Sequence, residues 1–223
     1  MSINIFCINL ERATERRRMI EEEWVQKRNI PIEFFTAFDR REIEKGIYPF
    51  PYNQDETLKR IKRPLSSGEI ACASSHCMLL QTALNKGLEE IIILEDDCLP
   101  TKNTSMEKIE QAIVNCKKAF PNVQVLIMHE PDAHVRIAHT INGIHLLAFP
   151  PFGFMMVWLS KQAMKLLVND LSTMCYPADW LWAKRFLPMK AIALCEIPFG
   201  YNAAQGNTYI GNEFRGVNLN FIE

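Results

Sequence analysis

The stretch Ile91-Ile92-Ile93-Leu94-Glu95-Asp96-Asp97 decides the fold class, because a continuous apolar run feeds directly into three carboxylates. A short, uninterrupted apolar run rich in β-branched residues reads as a strand buried on both faces, the kind found in parallel sheets. Parallel strands need crossover connections, and helix signals flank this one. Upstream, Ser66-Ser67-Gly68-Glu69 forms a capping box, and the helix it opens extends to about Lys86 and stops at Gly87. Downstream, Thr104 with Glu107 predicts a second box, a helix to about Ala119, and then a strand over Val123 to Met128.

The same alternation holds toward both ends. Ile3 to Ile8 predicts a buried strand, Glu11 to Arg28 a helix with Met19, Ile20 and Trp24 as its core contacts, and Ile32 to Phe38 a second strand. Residues 39–64 are charged, contain Pro49, Pro51 and Pro64, and read as a long connection with little regular structure. Val135 to Ala138 and Ile144 to Phe149, joined through Asn142-Gly143, predict a hairpin. Ser160 caps a helix through Leu167, Ala178 to Phe186 form another, and Ala191 to Ile197 a last strand. This order gives an α/β, Rossmann-like, mainly parallel sheet with helices on both faces. A single domain over residues 1–223 is expected, with one half about 1–130 and the other about 131–223.

Composition excludes several classes. Hydrophobic residues make up 48% and charged residues 23%, enough apolar material for a full core and too much for a disordered chain. The formal net charge is −1, from 25 basic and 26 acidic residues, which argues against nucleic acid as a partner. Lys59, Arg60, Lys62 and Arg63 form a local basic run, either a solvated loop or a contact for phosphates or an anionic membrane surface. The cysteines number seven, odd and irregularly spaced without a C-x-x-C, so neither a disulfide framework nor a zinc-thiolate site is expected. With no basic leader and no span of membrane length, the reading expects a cytoplasmic protein that visits a membrane surface at most peripherally.

Chemistry concentrates in a few places. In open α/β sheets ligands bind outside the carboxyl ends of strands, where Glu95-Asp96-Asp97 is expected. Three adjacent carboxylates repel one another unless a cation sits among them, and an all-oxygen set suits Mg²⁺ or Mn²⁺. The plain alternative is a solvated turn whose Asp residues cap backbone N–H groups. Arg12, Arg16, Arg17 and Arg18 open the first helix, with Arg12 and Arg16 on one face, ready for a diphosphate or else paired with Glu15 and Glu21 to Glu23. His76 is a mid-helix histidine, a core residue or a ligand contact. His129, His134, His139 and His145 match no zinc spacing. Asp179, flanked by Trp180 and Trp182, which suit sugar stacking, is a candidate general base, with Glu196 as runner-up.

Together these segments resemble glycosyltransferase family 25, which holds lipopolysaccharide-biosynthesis and collagen galactosyltransferases. The matching stretches are Ile8-Asn9-Leu10-Glu11-Arg12 with Arg16-Arg17, Phe34 to Asp39, Gly68-Glu69-Ile70-Ala71-Cys72-Ala73-Ser74-Ser75-His76, and Leu94-Glu95-Asp96-Asp97. Phe152-Gly153, Leu159-Ser160 and Pro177 with Asp179-Trp180 follow in the family's order. The resemblance implies a fold of the first glycosyltransferase type, a UDP-sugar donor, a glycan or glycoconjugate acceptor, inversion at the anomeric carbon and Mn²⁺ or Mg²⁺ as cofactor. It carries Asn9, Leu10, Arg12, Arg16, His76, Glu95 and Asp96 over as donor contacts, Asp97 and Asp96 as metal ligands, and Asp179 as the base. Two departures stand out: Asp39 is followed by Arg40 where the family has Gly, and no His follows His145, which leaves the last metal ligand to Gln205, Asn207 or water. Outside the family, the same carboxylates also fit a metal-dependent phosphohydrolase or a non-catalytic nucleotide-sugar-binding module.

Overall fold

Ten strands and seven α-helices follow one another in the computed structural model, which describes residues 3–102, 104–130, 135–149, 153 and 155–202. The strands are β1 (Asn4–Asn9), β2 (Glu33–Thr36), β3 (Glu90–Glu95), β4 (Cys98–Pro100), β5 (Val125–Ile127), β6 (Arg136–Ile141), β7 (Ile144–Phe149), β8 (Met156–Ser160), β9 (Ile192–Cys195) and β10 (Gly200–Asn202). The helices are α1 (Thr14–Ile20), α2 (Arg40–Glu44), α3 (Gln54–Ile61), α4 (Ser67–Asn85), α5 (Met106–Ala119), α6 (Lys161–Leu171) and α7 (Ala178–Phe186).

Eight strands form one mixed sheet in the order β2-β1-β3-β8-β5-β9-β7-β6, while β10 and β4 pair separately. Strands β2, β1, β3, β5, β9 and β6 run one way, and β8 and β7 run against them. Side chains alternate across the pleat. Phe6, Ile91, Ile93, Val157 and Leu159 enter a core beneath α4, α6 and α7, whereas Ile5, Cys7, Ile92, Leu94 and Trp158 enter a core closed by Ile20, Trp24 and α5. Helices therefore cover both faces, as the strand–helix alternation predicts, and the continuous apolar runs are explained by burial on both sides.

Several elements differ from those the sequence predicts. Residues 39–64 hold two short helices: the Asp39 carboxylate accepts from Arg41 N–H to start α2, and Asn53 accepts from Glu56 N–H to start α3. The first helix starts at Thr14 rather than Glu11, because Ala13 N–H closes a turn onto the Leu10 carbonyl. Beyond Ile20 it widens into a π-helical stretch, Glu21–Gln26, that buries Trp24. Ser105, not Thr104, caps α5, since the Thr104 hydroxyl donates to the Phe199 carbonyl at 2.5 Å. Strand β8 enters the middle of the sheet antiparallel, between β3 and β5, so the central order is not a simple succession of crossovers. The hairpin forms as expected, with Asn142 and Gly143 both at positive φ, 49° and 74°.

Among the described helices α4 is the longest, and it is fixed hard at its start. Ser66 and Glu69 complete the capping box, and Glu69 also takes a two-pronged ion pair from Arg63 at 2.6 and 2.8 Å. Burial raises the Glu69 carboxyl, but the Arg63 and Ser66 donors outweigh it and hold it below the ordinary value of 4.5. An acid depressed by folding contributes stability above its unfolded value and loses it as pH falls through the folded one. Glu69→Ala should therefore cost about 3 kcal/mol in urea unfolding at neutral pH, a deficit that shrinks as the pH drops below the ordinary carboxylate range. A cost of only a few tenths would place the pair among ordinary surface ion pairs.

Candidate active site

Strands β1 and β3 are parallel neighbours with Ile8 opposite Glu95, so the residues that follow each strand emerge side by side. Asn9 Nδ2 donates to Asp96 Oδ2 at 2.8 Å and to the Ala13 carbonyl at 3.3 Å, tying the end of β1 to the carboxylate turn. Arg16 Nη1 donates to Asp96 Oδ1 at 2.6 Å and stands 3.5 Å from Asp97 Oδ2. Both Asp96 oxygens thus accept from β1 and α1, and the carboxylate acts as a clamp between them.

The four arginines divide. Arg12 lies in the turn before α1, so it does not share a helical face with Arg16; its Nε donates to Asp39 Oδ2 at 2.7 Å, a contact that lowers the Asp39 carboxyl. Arg17 and Arg18 are exposed and pair with Glu21 and Glu15, the solvated arrangement, with Arg17 also 4.2 Å over the Phe34 ring. Of these four only Arg12 and Arg16 line the cavity, where Arg40 joins them. Glu95, Asp96 and Asp97 complete its charged lining, Cys72 and His76 stand close to Glu95, and Ile8, Leu10, Ala37 and Phe38 supply apolar surface. Ser75 Oγ accepts from Phe38 N–H at 2.8 Å and fixes that surface to α4.

Asp97 is the carboxylate left open. Its Oδ1 is buried without a hydrogen-bond partner. Burial, with help from the Glu95 and Asp96 charges and against Arg16, pushes the carboxyl up to about 7. A divalent cation is what would relieve such a group, so these residues fit a hard ion at Asp97 with Glu95 beside it. Asp96 is less available for that role because both its oxygens are engaged. Gln205 and Asn207 lie outside the described residues.

Asp179 opens α7 and is not among the residues that line this cavity. It accepts from Gly153 N–H at 3.2 Å and Trp180 N–H at 2.9 Å. Burial raises its carboxyl, the two N–H donors oppose this, and the charges of Glu95 and Glu69 add to the rise. Its coupling to Glu95 puts both carboxylates within electrostatic reach of each other. Trp182 cannot stack on a sugar: it is 1% exposed and packs edge-on against His76, ring centres 5.3 Å apart. Trp180 is half-buried. Glu196, the runner-up base, lines a different hollow with Lys108, Asn142 and Gly143. His129 is buried against Met156, and His145 bonds Thr140 on the hairpin, while His134 lies outside the described residues. In the basic run, Arg60 pairs with Glu56 and Tyr176 and Arg63 with Glu69, while Lys59, Arg60 and Lys62 are all exposed.

Residues 2–140 match the family model of glycosyltransferase family 25 (LPS biosynthesis protein). The chain belongs to glycosyltransferase family 25. Among similar proteins, a putative glycosyltransferase of Haemophilus influenzae is 41% identical over 92 residues, 41% of this chain and 31% of that protein. The lipooligosaccharide biosynthesis protein lic2B of Haemophilus influenzae is 38% identical over 104 residues, 46% of this chain and 36% of that one. The lacto-N-neotetraose biosynthesis glycosyltransferase LgtB of Neisseria meningitidis serogroup B is 24% identical over 208 residues, covering 85% and 71%. The match thus spans about a third of the two Haemophilus influenzae relatives. A solved glycosyltransferase involved in glycosylation of the major capsid of PBCV-1 superposes with a TM-score of 0.52 at 11% identity, over 93% of this chain and 95% of that one. UDP-glucose pyrophosphorylase complexed with UDP-glucose does so at 0.51 and 11% identity, over 91% and 94%. These likenesses establish the Rossmann-like fold of this family 25 chain. Its described helices include none long and apolar enough to cross a membrane.

The family 25 stretches fall largely around the cavity. Leu10, Arg12, Arg16, His76, Glu95, Asp96 and Asp97 line it, and Asn9 braces Asp96 from behind. Sequence reasoning assigned no role to Cys72, Asp39 or Ser75. The Cys72 and His76 spacing of four on one helix was the signal available for the first; Asp39 and Ser75 act through contacts made only in the fold.

Proposed function

We propose that this chain is an inverting glycosyltransferase that moves a sugar, galactose in our reading, from a UDP-sugar to a hydroxyl of a glycan or glycoconjugate acceptor, with Mn²⁺ or Mg²⁺ as cofactor. The observation that carries this reading is the buried, unpartnered Asp97 Oδ1 on the wall of a cavity that also presents three arginines and an apolar face. An apolar slot beside fixed positive charge suits a nucleobase joined to a diphosphate. When bound, the ion would supply Lewis-acid stabilisation of the departing diphosphate. Arg16, locked by Asp96, and Arg12, locked by Asp39, would add fixed positive charge at the same place without reorganising. Asp179 would take the acceptor's hydroxyl proton as that oxygen bonds the anomeric carbon and the sugar–diphosphate bond breaks. Peripheral contact with an anionic surface would rest on Lys59 and Lys62.

The test is thermal unfolding with a panel of nucleotide-sugars, each with Mn²⁺ and with chelator. A ligand present at about a hundred times its Kd stabilises by about 2.7 kcal/mol, which raises Tm by several degrees in a chain of this size. UDP and UDP-sugars should produce that shift with Mn²⁺ and lose most of it in chelator. An equal shift in chelator removes the metal from the reading. Phosphate release without any acceptor, with no response to nucleotide-sugars, turns the assignment to a phosphohydrolase.

A further inference from the structure

Cys72 and His76 are four residues apart on α4, so they sit one above the other on the same helical face. Glu95, at the end of β3, reaches across to them. One donor atom from each of the three lies within 4.8 Å of the others. We propose that Cys72, His76 and Glu95 form a second cation site, separate from Asp97 and selective for a thiophilic divalent ion of the Zn²⁺ class.

The imidazole supplies an observation independent of the clustering. His76 is 3% exposed, and its Nε2, the nitrogen that would bind the ion, stands 3.7 Å from Glu95 Oε1, beyond hydrogen-bond range, while Nδ1 on the other edge of the ring is buried without a partner, so neither nitrogen is committed to a hydrogen bond. Buried polar atoms are normally satisfied, and an uncommitted imidazole beside a thiol and a carboxylate has the donor set of a zinc site. Ligands about 2 Å from a tetrahedral ion stand about 3.3 Å apart, so the 3.7 Å gap closes with a shift of a few tenths of an ångström. The Trp182 ring packs edge-on against the imidazole and limits its other rotamers. Solvent reaches the group through the cavity that all three residues line, which leaves a fourth position for water.

The two sites differ in softness. Asp97 and its neighbours offer only oxygen, which suits Mg²⁺ or Mn²⁺, whereas sulfur and nitrogen favour Zn²⁺ or Cd²⁺. On binding, the Cys72 S–H bond breaks, its proton passes to solvent, and the sulfur bonds the ion. An ion held there would occupy the cavity and draw Glu95 away from Asp97, so it would inhibit donor binding; that consequence alone rests on the function proposed above.

The experiment uses the full chain, stripped with chelator and dialysed, and Cd²⁺ alone as the probe. Near-ultraviolet thiolate-to-Cd²⁺ charge transfer and Tm are followed against added ion, with Zn²⁺ as competitor. Wild type should develop a saturable band and a raised Tm; Zn²⁺ should remove the band while Tm stays raised, and excess Mn²⁺, which shares only Glu95 with the site, should abolish neither. With seven free cysteines in the chain, the variants make the assignment. Cys72→Ser should lose the band and weaken binding by about tenfold or more, while Cys175→Ser and Asp97→Asn keep both. A folded Cys72→Ser protein with an unchanged band and affinity, or a wild type without a saturable band, overturns the site. UDP-sugar shifts measured on the same samples fail or succeed separately, so loss of the donor reading is distinguishable from loss of this one.

Discussion

Asp97→Ala should weaken Mn²⁺-dependent UDP binding by about tenfold or more, as loss of a metal ligand does, while leaving the metal-free fold as stable as before or more so. The second half separates a lost ligand from a damaged fold. Without a cation the folded carboxyl lies at about 7, against an ordinary value of 3.8, because burial and the Glu95 charge disfavour its ionised form. Between those values the folded state holds a proton that the unfolded chain has given up, so stability falls as pH rises through the window. Asp97→Asn removes that cost. In chelator, its stability relative to wild type should rise between about pH 4 and pH 7 by on the order of 1 kcal/mol or more. Urea unfolding at three or four pH values, beside calorimetric titration of UDP with Mn²⁺, checks both halves. Unchanged Mn²⁺-dependent affinity in a folded Asp97→Ala protein places the ion elsewhere.

Much of this arrangement can be read along the chain, and what cannot has a physical reason. Ile91 to Leu94 and Ile3 to Ile8 announce themselves because strands buried on both faces must be apolar throughout. The start of α4 is equally legible, since a capping box is local chemistry within four residues. Strand β8 is hidden by the same property that exposes β3: its buried run, Met156 to Leu159, has no alternation to set it apart from the apolar residues before it, and nothing local says that it runs antiparallel. Helices α2 and α3 are short and charged, and only their caps, Asp39 and Asn53, mark them. At the site, the carboxylate triplet is visible in sequence, yet which oxygen stays open is not. That is decided by Asn9 and Arg16, which reach Asp96 from 87 and 80 residues away. Trp180 and Trp182 look alike in sequence, but two residues apart on a helix they face different ways, and Trp182 turns into the core.

Asp179→Asn should lower sugar transfer at least about a hundredfold while UDP-sugar and Mn²⁺ affinities hold, because a positioned base contributes roughly 10²–10⁴-fold. An inverting transfer needs a proton acceptor on the side of the anomeric carbon opposite the leaving diphosphate. In the proposed reaction Glu95, Asp96 and Asp97 would stand on the diphosphate side, and a cation among them would depress their basicity. Glu196 lines another hollow, beside Gly143, whereas Asp179, although also outside the cavity lining, feels the charge of Glu95 on the cavity wall. Asp179 remains, and its surroundings suit the role. Burial raises its carboxyl above the ordinary 3.8, which strengthens it as a base, while the Gly153 and Trp180 N–H groups keep it oriented. Asparagine preserves size and one acceptor oxygen, so the start of α7 should survive, as Tm would verify. The kinetic signature is a fall in kcat and in kcat/KM together with little change in nucleotide affinity, which marks an interaction made in the transition state. A folded Asp179→Asn protein that transfers at near wild-type rate would reduce Asp179 to an acceptor for the Gly153 and Trp180 N–H groups and reopen the search for the base.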